Sequence, residues 1–347
     1  MKLSNTLLVM AAATAIASCS NDKSENPPVP SDEAIAFNAS APLAPRSVIT
    51  TGNLTDFRVT AFVDGKEYMN NVLVTKHGGS WTYTPTMYWP ADKEVNFFSY
   101  APGSGSGNAA HSDGKTDLTG FVNDGNTDLL YGVNMHESGE KTNMVTINFR
   151  HALSQIRFAF TRKTENPPIR VDVMKVDLVN ILSQGDFNFP HETTSQGNKV
   201  VGEWSNQSVM TNPVIYSGPA VTLTDNPKQL LSSSYIFAVP QTLQPSEISG
   251  TGRKGSFVRA LCAIYHEESG LKLWPTSSTP DRDEATGCGY LYFPLDASGS
   301  DGTIKTWDAG KAYRYNISIG VPKTSSAIQF DVTVDQYENF ANPDLEN

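Results

Sequence analysis

Apolar residues recur at every second position along most of this chain, and that alternation governs what can be read from it. Ile35, Phe37 and Ala39 point one way in a first short strand. Phe57, Val59, Ala61 and Val63 form the apolar face of the next, with Arg58 and Thr60 opposite. Val72 to Thr75 and Ser80 to Thr84 flank His77-Gly78-Gly79, which predicts a hairpin turn. Val95 to Tyr100 carries aromatics on both faces, the pattern of a central strand covered on both sides. The glycines of Gly103 to Gly107 open a polar stretch to about Asp128; no helix follows to make a phosphate-binding turn, so a loop is expected. Strand patterning resumes at Leu129 to Val133 and Val145 to Phe149. It continues through Phe149 to Phe160, where Ile156, Phe158 and Phe160 share a face. Between Val173 and Met174 the phase slips, as at a β-bulge. Val258, Ala260, Cys262 and Ile264 make a core-facing row, and Gly289 to Leu295, Ala312 to Ile319 and Ile328 to Val334 close the series. No stretch sustains helical spacing, so the expected fold is all-β, with enough short strands for two tandem β-sandwiches of about seven or more each. The expected division is 34–145 for an N-terminal sandwich and 146–347 for a C-terminal one.

The beginning of the chain reads differently. Lys2 precedes an apolar run from Leu7 to Ile16, about half the roughly 20 residues of a membrane span, which predicts a secretory signal over 1–18. Ala17-Ser18-Cys19 resembles a lipobox, whose cysteine is lipidated and becomes the first residue after cleavage; the other reading is a soluble secreted protein with Cys19 incidental. Burial of acyl chains, worth about 0.8 kcal/mol per methylene, would hold such a protein to a bilayer. Residues 19–33 are polar, acidic and proline-rich, the composition of an extended tether. Ser20, Asp22 and Glu25 resemble the sorting signal of outer-membrane lipoproteins in anaerobic Gram-negative bacteria.

Charge and cysteine count narrow the partners. A net charge of −10 with no basic run argues against nucleic acid and against an anionic membrane surface, both of which require clustered Lys and Arg. Beside Cys19 there remain Cys262 and Cys288, an even pair in an oxidising compartment. They are either bonded, closing 25 intervening residues and stabilising by roughly 3–4 kcal/mol, or free and buried.

Catalytic patterns are weak. His266-Glu267-Glu268 lacks the second histidine of a metalloprotease helix, and Asp281, Asp283 and Glu284 lack the glycine and final glutamate of a calcium loop. His151 stands alone, where a structural hydrogen bond is the expected role. There is no nucleophile elbow, no redox CxxC spacing and no cofactor-binding pattern. Trp81, Trp89, Trp274 and Trp307 could line a sugar-binding surface, but core or turn anchoring is expected. No enzyme, metal or cofactor is therefore expected.

Four stretches together carry a resemblance: Phe149 to Phe158 (FRHALSQIRF), Thr86 to Pro90 (TMYWP) with Val95 to Pro102 (VNFFSYAP), Tyr235 to Gln241 (YIFAVPQ) and Trp307 to Ile319 (WDAGKAYRYNISI). In their order, and behind a lipoprotein signal, they resemble the fimbrillin family, the type V pilins and related lipoproteins of anaerobic gut and oral bacteria. The resemblance implies two transthyretin-like, Greek-key β-sandwiches and a cell-surface pilus subunit or adhesin. It implies assembly with other pilus subunits through a donated strand, an outer-membrane lipid anchor at Cys19, and a host or bacterial surface ligand. It also implies cleavage after an arginine, here Arg46 with Ser47 as the new terminus, displacing the strand that holds Ile35, Phe37 and Ala39. The chain departs from the family's stalk subunits at its end, where Tyr337, Phe340 and Pro343 break strand spacing and make residues beyond Val334 a poor donor. A lipoprotein that binds a glycan or protein without polymerising is the alternative.

Overall fold

A computed structural model describes residues 30–41, 52–104, 110–111, 117–195, 200–208, 212–228, 230, 235–249, 252–296, 298–299, 302–322 and 332–337. The fold is all-β, as the alternation predicts, and no helix occurs among the described residues.

The sheet that positions everything else has six strands in the order Arg150–His151, Leu130–Glu137, Val95–Ala101, Asp56–Val63, Lys66–His77 and Ser80–Tyr83. Its last hairpin turns at Gly78 and Gly79, with φ of 56° and 93°, so that His77 faces Ser80. Two successive positive φ angles suit glycine and match the twist of the flanking strands. Val95–Ala101 is an inner strand with Phe97 on one face and Phe98 on the other. On the first face Phe57, Val59 and Phe97 pack with Ile35, Phe37, Val145 and Ile147. On the second, Phe98, Tyr100, Tyr131 and Val133 pack with Phe187, Phe189, Tyr235 and Phe237.

This second cover comes from far along the chain. Gln184–Asn188 pairs with Leu118–Val122 on one side and Glu203–Ser208 on the other, and the Trp204 indole donates to the Ala152 carbonyl at 2.9 Å. Pairing therefore crosses the division expected at 145/146. Met144–Asn148 straddles that division, and Val145 and Ile147 bury side by side in the first core because the strand pairs with the beginning of the chain.

The C-terminal core lies between two further sheets. One has the order Ile236–Ala238, Ser154–Arg162, Ala312–Ile319, Val332–Tyr337. Ser154–Arg162 and Ala312–Ile319 run parallel, from Gln155 opposite Ala312 to Arg162 opposite Ile319, while Val332–Tyr337 runs antiparallel to Ala312–Ile319. The other has the order Val214–Thr222, Ile169–Val179, Phe257–His266, Cys288–Pro294, Arg282–Asp283. Between them pack Phe158, Phe160, Val171, Ile264, Phe293 and Tyr315. The Tyr315 hydroxyl donates to the Leu295 carbonyl at 3.0 Å and accepts from the Trp307 indole at 2.8 Å, which satisfies both buried polar groups. The register shifts between Val173 and Lys175 on both sides of Ile169–Val179. Met174 is the extra residue, so Val173 and Val176 both reach the core.

Two expectations are corrected, and one of the two readings of the cysteines is selected. The tether does not extend to 33: Pro30–Ala34 is a strand paired with Tyr88–Pro90, its proline at the first position, where a missing N–H is tolerated. The final strand runs past Val334 to Tyr337. Cys262 and Cys288 are both free and buried. Cys262 faces the core with Ala260 and Ile264, whereas Cys288, one residue out of register with it, lies on the opposite face of the sheet with Leu261, Ala263 and Met174. Side chains on opposite faces of one sheet cannot meet. Burial also pushes the Cys262 thiol well above its ordinary pKa, so it stays protonated and unreactive. Peptide mass mapping after non-reducing alkylation of the folded protein should show Cys262 and Cys288 unmodified, and denaturation should expose both to the reagent; a peptide pair two hydrogens short would indicate a bridge.

Candidate functional site: the leading strand and its groove

The segment 30–41 crosses the edge of the first core in two steps. Pro30–Ala34 pairs antiparallel with Tyr88–Pro90; Ala36–Ser40 then pairs parallel with Met144–Asn148, Ala36 opposite Met144 and Ser40 opposite Asn148. At the bend between them the Ile35 amide donates to the Met87 carbonyl at 2.8 Å. At the far end the Phe149 amide donates to the Ser40 carbonyl at 2.8 Å, and the Ser40 hydroxyl to the Asn148 side chain at 2.8 Å. Among the described residues, Met144–Asn148 is the one strand to which Ala36–Ser40 is laddered.

Alternation does the rest. Ile35, Phe37, Ala39 and Ala41 are buried at 2, 4, 5 and 4% exposure, while Ala36 and Asn38 between them are exposed. Phe37 is the anchor: its ring meets those of Tyr83, Phe97 and Phe57 edge-on, at centroid distances of 5.4, 5.7 and 6.0 Å. That arrangement sets ring edges against ring faces and adds to the gain from buried area. Met144–Asn148 seats closely behind the strand because Gly132 leaves room for Ile147; a side chain at Gly132 would run into it. The Tyr83 hydroxyl donates to the Ile35 carbonyl at 2.8 Å and accepts from the Met87 amide at 3.3 Å. Burial raises its pKa above the ordinary phenol value, so it remains a donor at neutral pH.

The site is thus a strip of four inward side chains on a short strand near the start of the chain. The residues expected there, Ile35, Phe37 and Ala39, are brought together. Ala41 continues the same alternation and was legible from it. Tyr83, Met87 and Tyr88 were missed; their only signal was membership of the TMYWP turn and the hairpin before it. Cys19, Arg46 and Ser47 lie outside the described residues. Cys262 and Cys288 belong to the C-terminal sheets and take no part.

Other candidates resolve into structural roles. His151 Nδ1 lies 2.6 Å from the Asp128 carboxylate, both side chains buried at the margin of the six-stranded sheet. Glu267 accepts from Arg162 at 2.7 Å. Asp283 accepts from the Ala285 and Thr286 amides, and Glu284 pairs with Arg282. No group of metal-ligating side chains occurs among the described residues. Trp89, Trp274 and Trp307 are buried, and Trp81 packs half-buried against the first core.

An all-β protein that completes its first core with a strand from near its own beginning is a structural class of molecule, with side chains committed to packing and hydrogen bonding. A family model described as fimbrillin-like matches residues 48–336, and the chain belongs to that family. The match opens just past the leading strand. Among solved structures the chain is similar to a fimbrial protein from Bacteroides vulgatus, at 14% identity and a TM-score of 0.52, covering 88% of this chain and 98% of that one. It is also similar to a fimbrilin from Porphyromonas gingivalis, at 10% identity and a TM-score of 0.47, covering 88% and 96%. No curated protein matches.

Phe37→Ala should destabilise the protein by about 3–5 kcal/mol in urea unfolding, since it opens a cavity among three rings. Asn38→Ser, on the exposed face, should stay within about 0.5 kcal/mol; equal effects would show that the strand does not plug the core.

Proposed function

We propose that this chain is a lipid-anchored subunit or adhesin of a cell-surface fimbrium, carried to the outer membrane by acylated Cys19 and assembled by strand exchange after cleavage between Arg46 and Ser47. The observation that carries this is the leading strand itself. It is buried along one whole face yet laddered to Met144–Asn148 over only five residues, with Pro30–Ala34 before it paired to Tyr88–Pro90, and the polypeptide from its end to Arg46 is only a few residues long. Cleavage there would free it. Ile35 and Phe37 at roughly 1.5–3 kcal/mol each, with the smaller alanines, set the stabilisation a replacement strand recovers.

The chain contains a segment of matching pattern. Ile328-Gln329-Phe330-Asp331-Val332-Thr333-Val334 repeats Ile35-Ala36-Phe37-Asn38-Ala39-Ser40-Ala41 with apolar residues at the same four positions and isoleucine and phenylalanine at the same two. The donor in this reading is that stretch from a second copy, not the irregular sequence after Tyr337. The architecture in this reading is two tandem transthyretin-like sandwiches, with Gln184–Asn188 and Glu203–Ser208 of the later chain laid over the first.

Treatment of the mature protein with an arginine-specific protease should yield a new terminus at Ser47 and a ladder of oligomers, and Arg46→Ala should abolish both. A chain that is cut yet stays monomeric would instead favour a binder that presents its surface to a glycan or protein ligand without polymerising.

A further inference from the structure

The parallel ladder of the C-terminal core has a mechanical meaning that follows from its direction alone. Gln155 faces Ala312 at one end and Arg162 faces Ile319 at the other. The chain enters the ladder before Ser154, at the first end, and leaves Ala312–Ile319 at the second. Tension applied between those two points pulls the strands past each other lengthwise, so all eight residue pairs resist together. Val332–Tyr337 changes the outlet. Its register sets Tyr337 opposite Ala312, so with this strand in place the chain emerges at the same end where it came in. Tension then acts across the sheet and peels Tyr337 away first, one pair after another. The same residues are therefore weak when pulled through the last strand and strong when pulled from Ile319.

We propose that the Ser154–Arg162 and Ala312–Ile319 ladder is a force clamp that holds the C-terminal core closed against tension along a fibre, and that it engages when Val332–Tyr337 leaves its own sheet. The trigger rests on the strand-exchange reading, because donation of the last strand to a neighbour moves the point of pull to the end of Ala312–Ile319. The clamp itself is a property of the single chain. Neighbouring interactions reinforce it along its length. The Ser154 hydroxyl donates to the Asp308 carbonyl at 2.8 Å, the Gln155 amide to the Lys311 carbonyl at 2.9 Å and the Lys163 amide to the Ile319 carbonyl at 2.8 Å. At the far end Arg162 ties the strand to Asp225 and Glu267. Phe158 stacks on Tyr315 across the two strands at 5.4 Å, so sliding must also break ring contact. Forced unfolding is governed by the unfolding barrier, and simultaneous loading of many bonds raises that barrier where sequential loading does not.

Single-molecule force spectroscopy on the unlipidated full chain tests this with handles at two pairs of introduced cysteines. In Lys163→Cys with Lys311→Cys the handles sit at opposite ends of the ladder and load it lengthwise. In Lys163→Cys with Pro322→Cys they sit at the same end and peel it. The first pair should rupture at severalfold higher force than the second; equal forces, or the reverse order, would overturn the proposal. Adding Asp335→Pro to the first pair removes a bond of the last strand, because Arg314 opposite it turns its backbone groups toward that strand while Tyr315 turns its own toward Ser154–Arg162, and should leave the rupture force unchanged. A collapse of that force would mean that the last strand, and not the parallel ladder, supplies the resistance. Thermal unfolding of each variant verifies that the pulled molecules are folded. Failure of protease treatment to give oligomers would remove the trigger and leave the pulling comparison intact, so the two readings fail separately.

Discussion

The strand Val95–Ala101 is apolar toward both sides, and a sheet with two apolar faces must be covered twice. Phe97 demands one cover and Phe98 the other. The two are built by different means. Phe187, Phe189, Tyr235 and Phe237 arrive from later in the chain, Phe187 on a strand paired with Leu118–Val122 and Phe237 on one paired with Ser154–Arg162. Ile35, Phe37, Ala39 and Ala41 arrive from its beginning on a short strand with one ladder partner. The first cover is bound into the topology by strands from well along the chain; the second rests on the five-residue ladder to Met144–Asn148 and on the pairing of Pro30–Ala34 with Tyr88–Pro90. A core closed from two separate parts of the chain follows from putting large side chains on alternate sides of one central strand.

Charge plays a smaller part. The described ion pairs are largely at the surface, where such pairs contribute about 0–1 kcal/mol. The exceptions are local. Arg259 grips buried Asp177 with two hydrogen bonds, at 2.8 and 2.6 Å, and lies over the Tyr290 ring at 4.4 Å. Tyr290, beneath Arg259, packs against the outward-facing cluster of Leu261, Ala263 and Cys288. Asp128 and His151 share a proton-bearing contact where the six-stranded sheet meets the start of Ser154–Arg162. The first pair occupies both carboxylate oxygens of Asp177, and the second occupies one oxygen of Asp128.

Much of this was legible in the residues, for physical reasons that can be named. Period-two alternation identified the inward row of the leading strand, the doubly covered central strand and the core row containing Cys262. The phase slip at Met174 marked a bulge because an extra residue is the only way for Val173 and Val176 to reach one side of a strand. The paired glycines after His77 marked a turn because few other residues adopt that backbone. Long-range partnership was not legible. Nothing in Gln184–Asn188 announces that it pairs with Leu118–Val122, since any alternating segment can add to any edge. Pro30–Ala34 was read as tether because PSDEA carries no apolar row; backbone pairing with Tyr88–Pro90 holds it. The thiols looked pairable in number, and only the register showed them to lie back to back.

Tyr83 reads the leading strand through a main-chain carbonyl, whereas the rings around Phe37 read a side chain by shape. The first kind of contact is indifferent to amino-acid identity and the second is not. A groove of that composition discriminates at one position and is permissive at its neighbours. Under the strand exchange proposed above, non-identical protomers could be interleaved in a single filament without redesign of the receiving surface, as long as each offers an aromatic at the place where the rings converge.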